Sequence, residues 1–123
     1  MITIVKHLRD LLIDNSHIKS KIDTKIFPLV APENTKSPFV TIVRDSYKPE
    51  YTKGNKNIDC VVSVFVLSND YAESVEITEL IVNALENKRI EEIDVRIIQI
   101  EEIQEDFDEE FGIYIQRIII KIK

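Results

Sequence analysis

At 123 residues, 44% of them hydrophobic and 31% charged, the chain is expected to form one domain with a real core and no second one. A formal net charge of −6 argues against wrapping nucleic acid, because phosphate binding runs on clustered Lys and Arg. No apolar run approaches the roughly 18 residues of a membrane span, and MITIVKHLRDLL sets acids and bases inside its apolar pattern, unlike a signal peptide. The chain is expected to be made and kept in the cytosol, or released by lysis.

Residues 2–14 place Ile4, Val5, Leu8, Leu11 and Leu12 on a single stripe at helical spacing, which predicts a first helix. Asn15 and Ser16 supply a stop. The segment that follows, SHIKSKIDTKIFPLVAPENTKSP, contains Pro28, Pro32 and Pro38, which deny it a helix or a central strand. IFPLV adds at most a short edge strand.

FVTIVRDSY (39–47) and IDCVVSVFVLS (58–68) have the β-branched content of strands and are expected to pair as a hairpin. The intervening KPEYTKGNKN is too long for a two-residue turn, and its Pro, Gly, Asn and Lys content predicts an exposed, mobile loop. In the second strand Cys60, Val62, Val64 and Val66 share one face, and Val61, Ser63, Phe65 and Leu67 the other.

A second helix opens at Asp70, an N-cap with Glu73 three residues on, as in a capping box. Ile77, Leu80, Ile81, Ala84 and Leu85 give its buried stripe, and Asn87, Lys88 and Arg89 end it. IDVRIIQIEEIQ (93–104), the acidic turn EDFDEE and FGIYIQRIIIKIK (111–123) then form a second hairpin. The predicted fold is α+β: two helices layered on one face of a mostly antiparallel four-stranded sheet, in the order α-β-β-α-β-β, with a possible extra short edge strand.

The last strand sharpens the architecture into a question. Its even positions (Tyr114, Gln116, Ile118, Ile120, Ile122) and odd positions (Ile113, Ile115, Arg117, Ile119, Lys121) are both largely apolar. One helical layer covers one face. Something else must cover the other, and exposed apolar area of that extent marks a contact with another protein.

Chemistry is poorly provided for. With two glycines, Gly54 and Gly112, neither a P-loop nor a dinucleotide fingerprint can be built. His7 and His17 lack partners at ligand spacing, and a single cysteine, Cys60, excludes an internal disulfide and any multi-thiolate metal site. An EF-hand register starting at Glu105 puts Phe107 third and Glu110 sixth, where calcium needs an oxygen ligand and a glycine. No enzyme activity, metal or cofactor is expected.

Two charged segments remain. Glu101, Glu102, Glu105, Asp106, Asp108, Glu109 and Glu110 form a solvated hairpin tip, an electrostatic contact surface or a weak cation site. Lys48, Lys53 and Lys56, with Tyr47 and Tyr51, form a hairpin tip, a protein-contact arm or a weak single-strand binder. The expected interface residues are Tyr47, Lys48, Tyr51, Lys53, Lys56, Glu105, Asp108, Glu109, Glu110, Ile113, Ile115 and Ile119.

Three stretches carry a family resemblance. In KIFPLVAPENTKSPFVTIV an apolar run with proline leads to a strand start at Ser37, Pro38, Phe39 and Val40. In DCVVSVFVLSNDYAESVEITELIVNAL a strand passes through a short polar turn and Tyr71, Ala72 and Glu73 into an amphipathic helix, and Gly112, Ile113 and Tyr114 precede the last strand. In this order and length the chain resembles the small tail-completion or tail-terminator proteins of tailed bacteriophages and prophages. The resemblance implies a non-enzymatic virion protein without cofactors: a hexameric ring that caps the growing tail tube, stops its polymerisation, meets the head connector and lets DNA pass without specific binding. A ring needs two different patches on each protomer. The alternatives are a head–tail connector or neck adaptor, or a small cytosolic protein-binding module. The chain departs from the family in its acidic last hairpin and its isoleucine content.

Overall fold

A computed structural model describes every residue except Met1 and Lys53, leaving aside the side chains of Thr52, Asn55, Lys56 and Asn57. The elements are helix α1 (Ile4–Ile13), helix α2 (Ser16–Ile22), strand β1 (Ile26–Pro28), strand β2 (Phe39–Thr52), strand β3 (Asn55–Ser68), helix α3 (Tyr71–Leu85), a 3-10 turn (Glu91–Ile93), strand β4 (Ile98–Asp108) and strand β5 (Ile113–Ile122). The described residues form an α+β fold with three α-helices and one five-stranded mixed sheet in the order β1-β2-β3-β5-β4.

The expected helices are present as α1 and α3, and a third stands beside them. Asn15, read as a stop, is the N-cap of α2: its side chain accepts from the N–H groups of His17 and Ile18, which switches the chain from one helix into the next. The prolines that argued against a helix all lie beyond its end. α2 buries Ile18 and Ile22. At α3 the Asp70 side chain accepts from the Glu73 N–H. Glu73 answers through a relay, for Ser68 Oγ donates to it at 2.7 Å while accepting from the Asp70 N–H at 3.1 Å.

The sheet departs from expectation in strand number. β1 pairs in parallel with β2, in the register Ile26↔Val40 to Pro28↔Ile42, so the short edge strand is real and makes the sheet mixed. The supposed loop at 48–57 is strand over residues 48–52 and 55–57: β2 and β3 stay paired from Phe39↔Leu67 to Thr52↔Asn55. Gly54 has φ +84°, the left-handed region a tight hairpin turn demands. The second hairpin starts later and runs further than predicted. Residues 93–97 lie outside the strand, β4 begins at Ile98, and the acidic residues up to Asp108 are strand rather than turn.

The core lies between the three helices and one sheet face. It contains Ile4, Leu8 and Leu12 of α1, Ile77, Ile81 and Leu85 of α3, and Val62, Val64, Ile118 and Ile120 of the central strands, all without exposure. Each such side chain contributes about 1.5–3 kcal/mol by leaving water. The face assignments made for β3 and β5 hold: Cys60, Val62, Val64, Val66, Gln116, Ile118, Ile120 and Ile122 are buried. Burial pushes the Cys60 thiol above its ordinary pKa.

A candidate assembly surface

The other sheet face has no helix on it. Strand register sets its rows: Phe39–Leu67–Ile115–Asp106, then Thr41–Phe65–Arg117–Gln104, then Val43–Ser63–Ile119–Glu102 across β2, β3, β5 and β4. The segment after β1 borders this face, since Leu29, Val30 and Ala31 line the same concavity, of about 700 Å³, as Phe65, Ile115 and Gln104. Leu29 and Val30 are 68% and 69% exposed.

One polar network interrupts the apolar floor. The ladder shifts between Arg44 and Ser46, a β-bulge that leaves Asp45 unpaired. Ser63 Oγ donates to Asp45, Arg117 Nε donates to Ser63 Oγ at 3.0 Å, and Arg117 reaches the Asp45 carboxylate at 3.7 Å. The guanidinium stands 5.4 Å from the Phe65 ring centre. The bulge spoils strict alternation in β2, so neither Asp45 nor its partners were singled out from sequence.

On the opposite side of the edge strand, aromatic residues gather. Tyr114 meets Tyr71 at 5.5 Å and Phe107 at 4.7 Å between ring centres. Tyr71 donates its hydroxyl to Glu105 at 2.7 Å, and Gln116 Nε2 donates to the same carboxylate at 3.1 Å and to Ser74 Oγ at 3.3 Å. These bonds lower the Glu105 pKa below the ordinary carboxylate value and raise that of Tyr71 above the ordinary phenol value.

The residues expected at an interface fall into three places. Ile113, Ile115 and Ile119 lie half-buried on the uncovered face. Asp108, Glu109 and Glu110 form the β4–β5 tip, where Asp108 Oδ1 accepts from the N–H groups of Glu110 and Phe111, and Glu105 is tied to Tyr71. Lys48 and Tyr51 are exposed on the β2–β3 arm, whereas Tyr47 turns inward and packs on the core. Lys53 lies outside the described residues, as does the side chain of Lys56. β3 pairs with β5 from Cys60↔Ile122 to Ser68↔Tyr114, so the lysine arm and the acidic tip occupy opposite ends of the sheet. The acids and lysines are therefore not brought together within one protomer.

Among the described residues, no three His, Cys, Asp or Glu side chains are grouped to hold a metal ion, and no helix is long and apolar enough to cross a membrane.

No protein-family model matches the chain, and no curated protein matches it. Among solved structures it is similar to a chain from the virion of a native gene transfer agent particle, with a TM-score of 0.79 at 10% identity. The likeness covers 94% of this chain and 89% of the other. The two chains share a fold.

Proposed function

We propose that this protein is a non-enzymatic structural component of a phage-type virion, of the tail-terminator type, which assembles as a hexameric ring on the end of the tail tube and joins it to the head connector. The observation that carries the reading is the fold shared with a gene transfer agent virion chain over nearly the full length of both. The uncovered sheet face supports it, because Phe65, Leu67 and Ile115 form an apolar floor that a neighbouring subunit would remove from water. A ring needs two unlike patches per protomer, and the two ends of this sheet differ in charge and shape. DNA passes through the ring unbound, and the protein works in the virion tail after assembly in the host cytoplasm.

Sedimentation velocity and negative-stain electron microscopy of the purified protein, alone and with tail tubes, test the reading. Rings of six seated on tube ends are expected. A monomer at every concentration that also leaves tube ends bare would refute it.

A further inference from the structure

Six exposed large apolar side chains gather at two opposite edges of the sheet: Leu29 and Val30 beyond β1, and Tyr71, Val75, Ile103 and Phe107 around β4. We infer that the Leu29–Val30 turn of one protomer seats on the β4 patch of the next copy, a step that rests on the ring reading and names two surfaces that close the ring.

The patch at β4 arises because the helix layer stops short of the sheet edge. α3 packs on β3 and β5, and β4 lies beyond β5. Ile103 and Phe107 sit opposite Ile118 and Tyr114, so they face the helix side of the sheet from outside the edge of α3. Tyr71 and Val75, one turn apart on α3, flank them: Tyr71 bonds Glu105, and its ring meets Tyr114, which in turn meets Phe107. The four side chains stay between 39% and 47% exposed.

The turn at the other edge presents side chains rather than backbone. Arg9 Nε donates to Ile26 O at 2.8 Å, the Ile26 N–H donates to Thr24 O at 2.8 Å, and the Val30 N–H donates to Pro28 O at 2.7 Å, so the outward groups of β1 are already taken and the sheet does not extend there. Leu29 adopts φ +65°. Glycine or asparagine would hold that conformation at less cost, and a leucine exposed to this degree gains little within its own protomer. Strain of this kind at an exposed apolar residue points to a contact made outside the chain.

A second copy is the occupant that charge selects. β4 carries Glu101, Glu102, Glu105, Asp106 and Asp108 with no Lys or Arg, and over residues 70–110 fifteen acids stand against three bases. Two such patches docked on each other would oppose like charges. Residues 2–38, which build the β1 edge and the helices beside it, carry six Lys or Arg against four acids, with Lys25 and Lys36 against Glu33 around the turn itself. Unlike patches at opposite edges make a head-to-tail contact that repeats.

Disulfide trapping between two differently tagged chains tests this contact. One chain carries Val30→Cys and the other Val75→Cys, both at exposed positions; the native Cys60 is buried and stays out of the exchange. Under mild oxidation the mixed disulfide should form at least about tenfold faster than either homodimer, and Glu79→Lys with Glu101→Lys on the receiving chain should slow it about tenfold. Leu29→Asn added to the Val30→Cys chain suits the left-handed backbone, so it should leave the urea midpoint unchanged or raised while slowing trapping about tenfold. A mixed disulfide no faster than the homodimers, one indifferent to the charge reversal, or a Leu29→Asn chain that loses stability and traps as before overturns the contact. Rings seen by microscopy without the mixed disulfide would leave the ring reading standing and this contact refuted. Charge-dependent trapping without closed rings would support the contact and refute the ring.

Discussion

Tyr71 in the first turn of α3 donates its hydroxyl to Glu105 of the edge strand β4 at 2.7 Å, thirty-four residues away in sequence. This bond ties the helix layer to the strand that carries the acidic row. Glu105 also accepts from Gln116, so one exposed carboxylate joins α3, β4 and β5.

The bond has a pH signature with two ends. The pKa of Glu105 is lowered first by Tyr71 and then by Gln116, so its contribution is fully present above the unfolded carboxylate pKa and is lost as pH falls through the folded one. The Tyr71 pKa is raised, chiefly by the hydrogen bond to Glu105, so its contribution is present below the ordinary phenol value of 10.0 and is lost as pH rises through the folded value. In Tyr71→Phe the Glu105 carboxyl should titrate closer to its ordinary value, followed by carboxyl NMR. An unchanged titration would assign the shift to Gln116 alone.

Ser63→Ala should lower stability by about 1 kcal/mol, because a buried hydroxyl that donates to Asp45 and accepts from Arg117 is lost. Asp45→Asn should cost less, about 0–1 kcal/mol, since its 3.7 Å pairing with Arg117 is partly exposed to solvent on both sides. Urea unfolding of the two variants gives the ranking, and the reverse order would place the weight on the ion pair.

Asn15→Ala should destabilise the protein by about 0.5–2 kcal/mol, the range for losing a side-chain N-cap. The change removes the acceptor for the His17 and Ile18 N–H groups and loosens α2, with Ile18 and Ile22 on its inner side. Asn15→Asp should retain most of the stability. Thermal unfolding of both variants checks the pair.

Ile81→Ala should cost about 2–5 kcal/mol, because the side chain is wholly buried between α3 and the sheet and its removal leaves a cavity. Ile103→Ala, at a position 46% exposed on β4, should cost far less. Comparable losses at the two sites would indicate that Ile103 is covered in solution, which chemical denaturation across protein concentrations would reveal.

Much of this protein was legible from periodicity. The alternating faces of β3 and β5, the stripes of α1 and α3, and the Asp70 cap depend on neighbours close in sequence, and all reappear as read. The arm was misread because Pro49, Gly54 and three lysines match loop composition; only the cross-strand ladder makes residues 48–52 strand. α2 was missed because one residue, Asn15, serves two helices, and its capping bonds run forward rather than back.

The one-residue spacing of apolar side chains by itself determined that two sheet faces would seek cover, because strand geometry alone sends adjacent side chains to opposite sides. Which face the helices took, that β5 lies between β3 and β4, and that the lysine arm and acidic tip stand at opposite ends were decided only by the tertiary structure. Strand order depends on contacts between segments far apart in sequence, and no local pattern encodes which distant strand a given strand will meet.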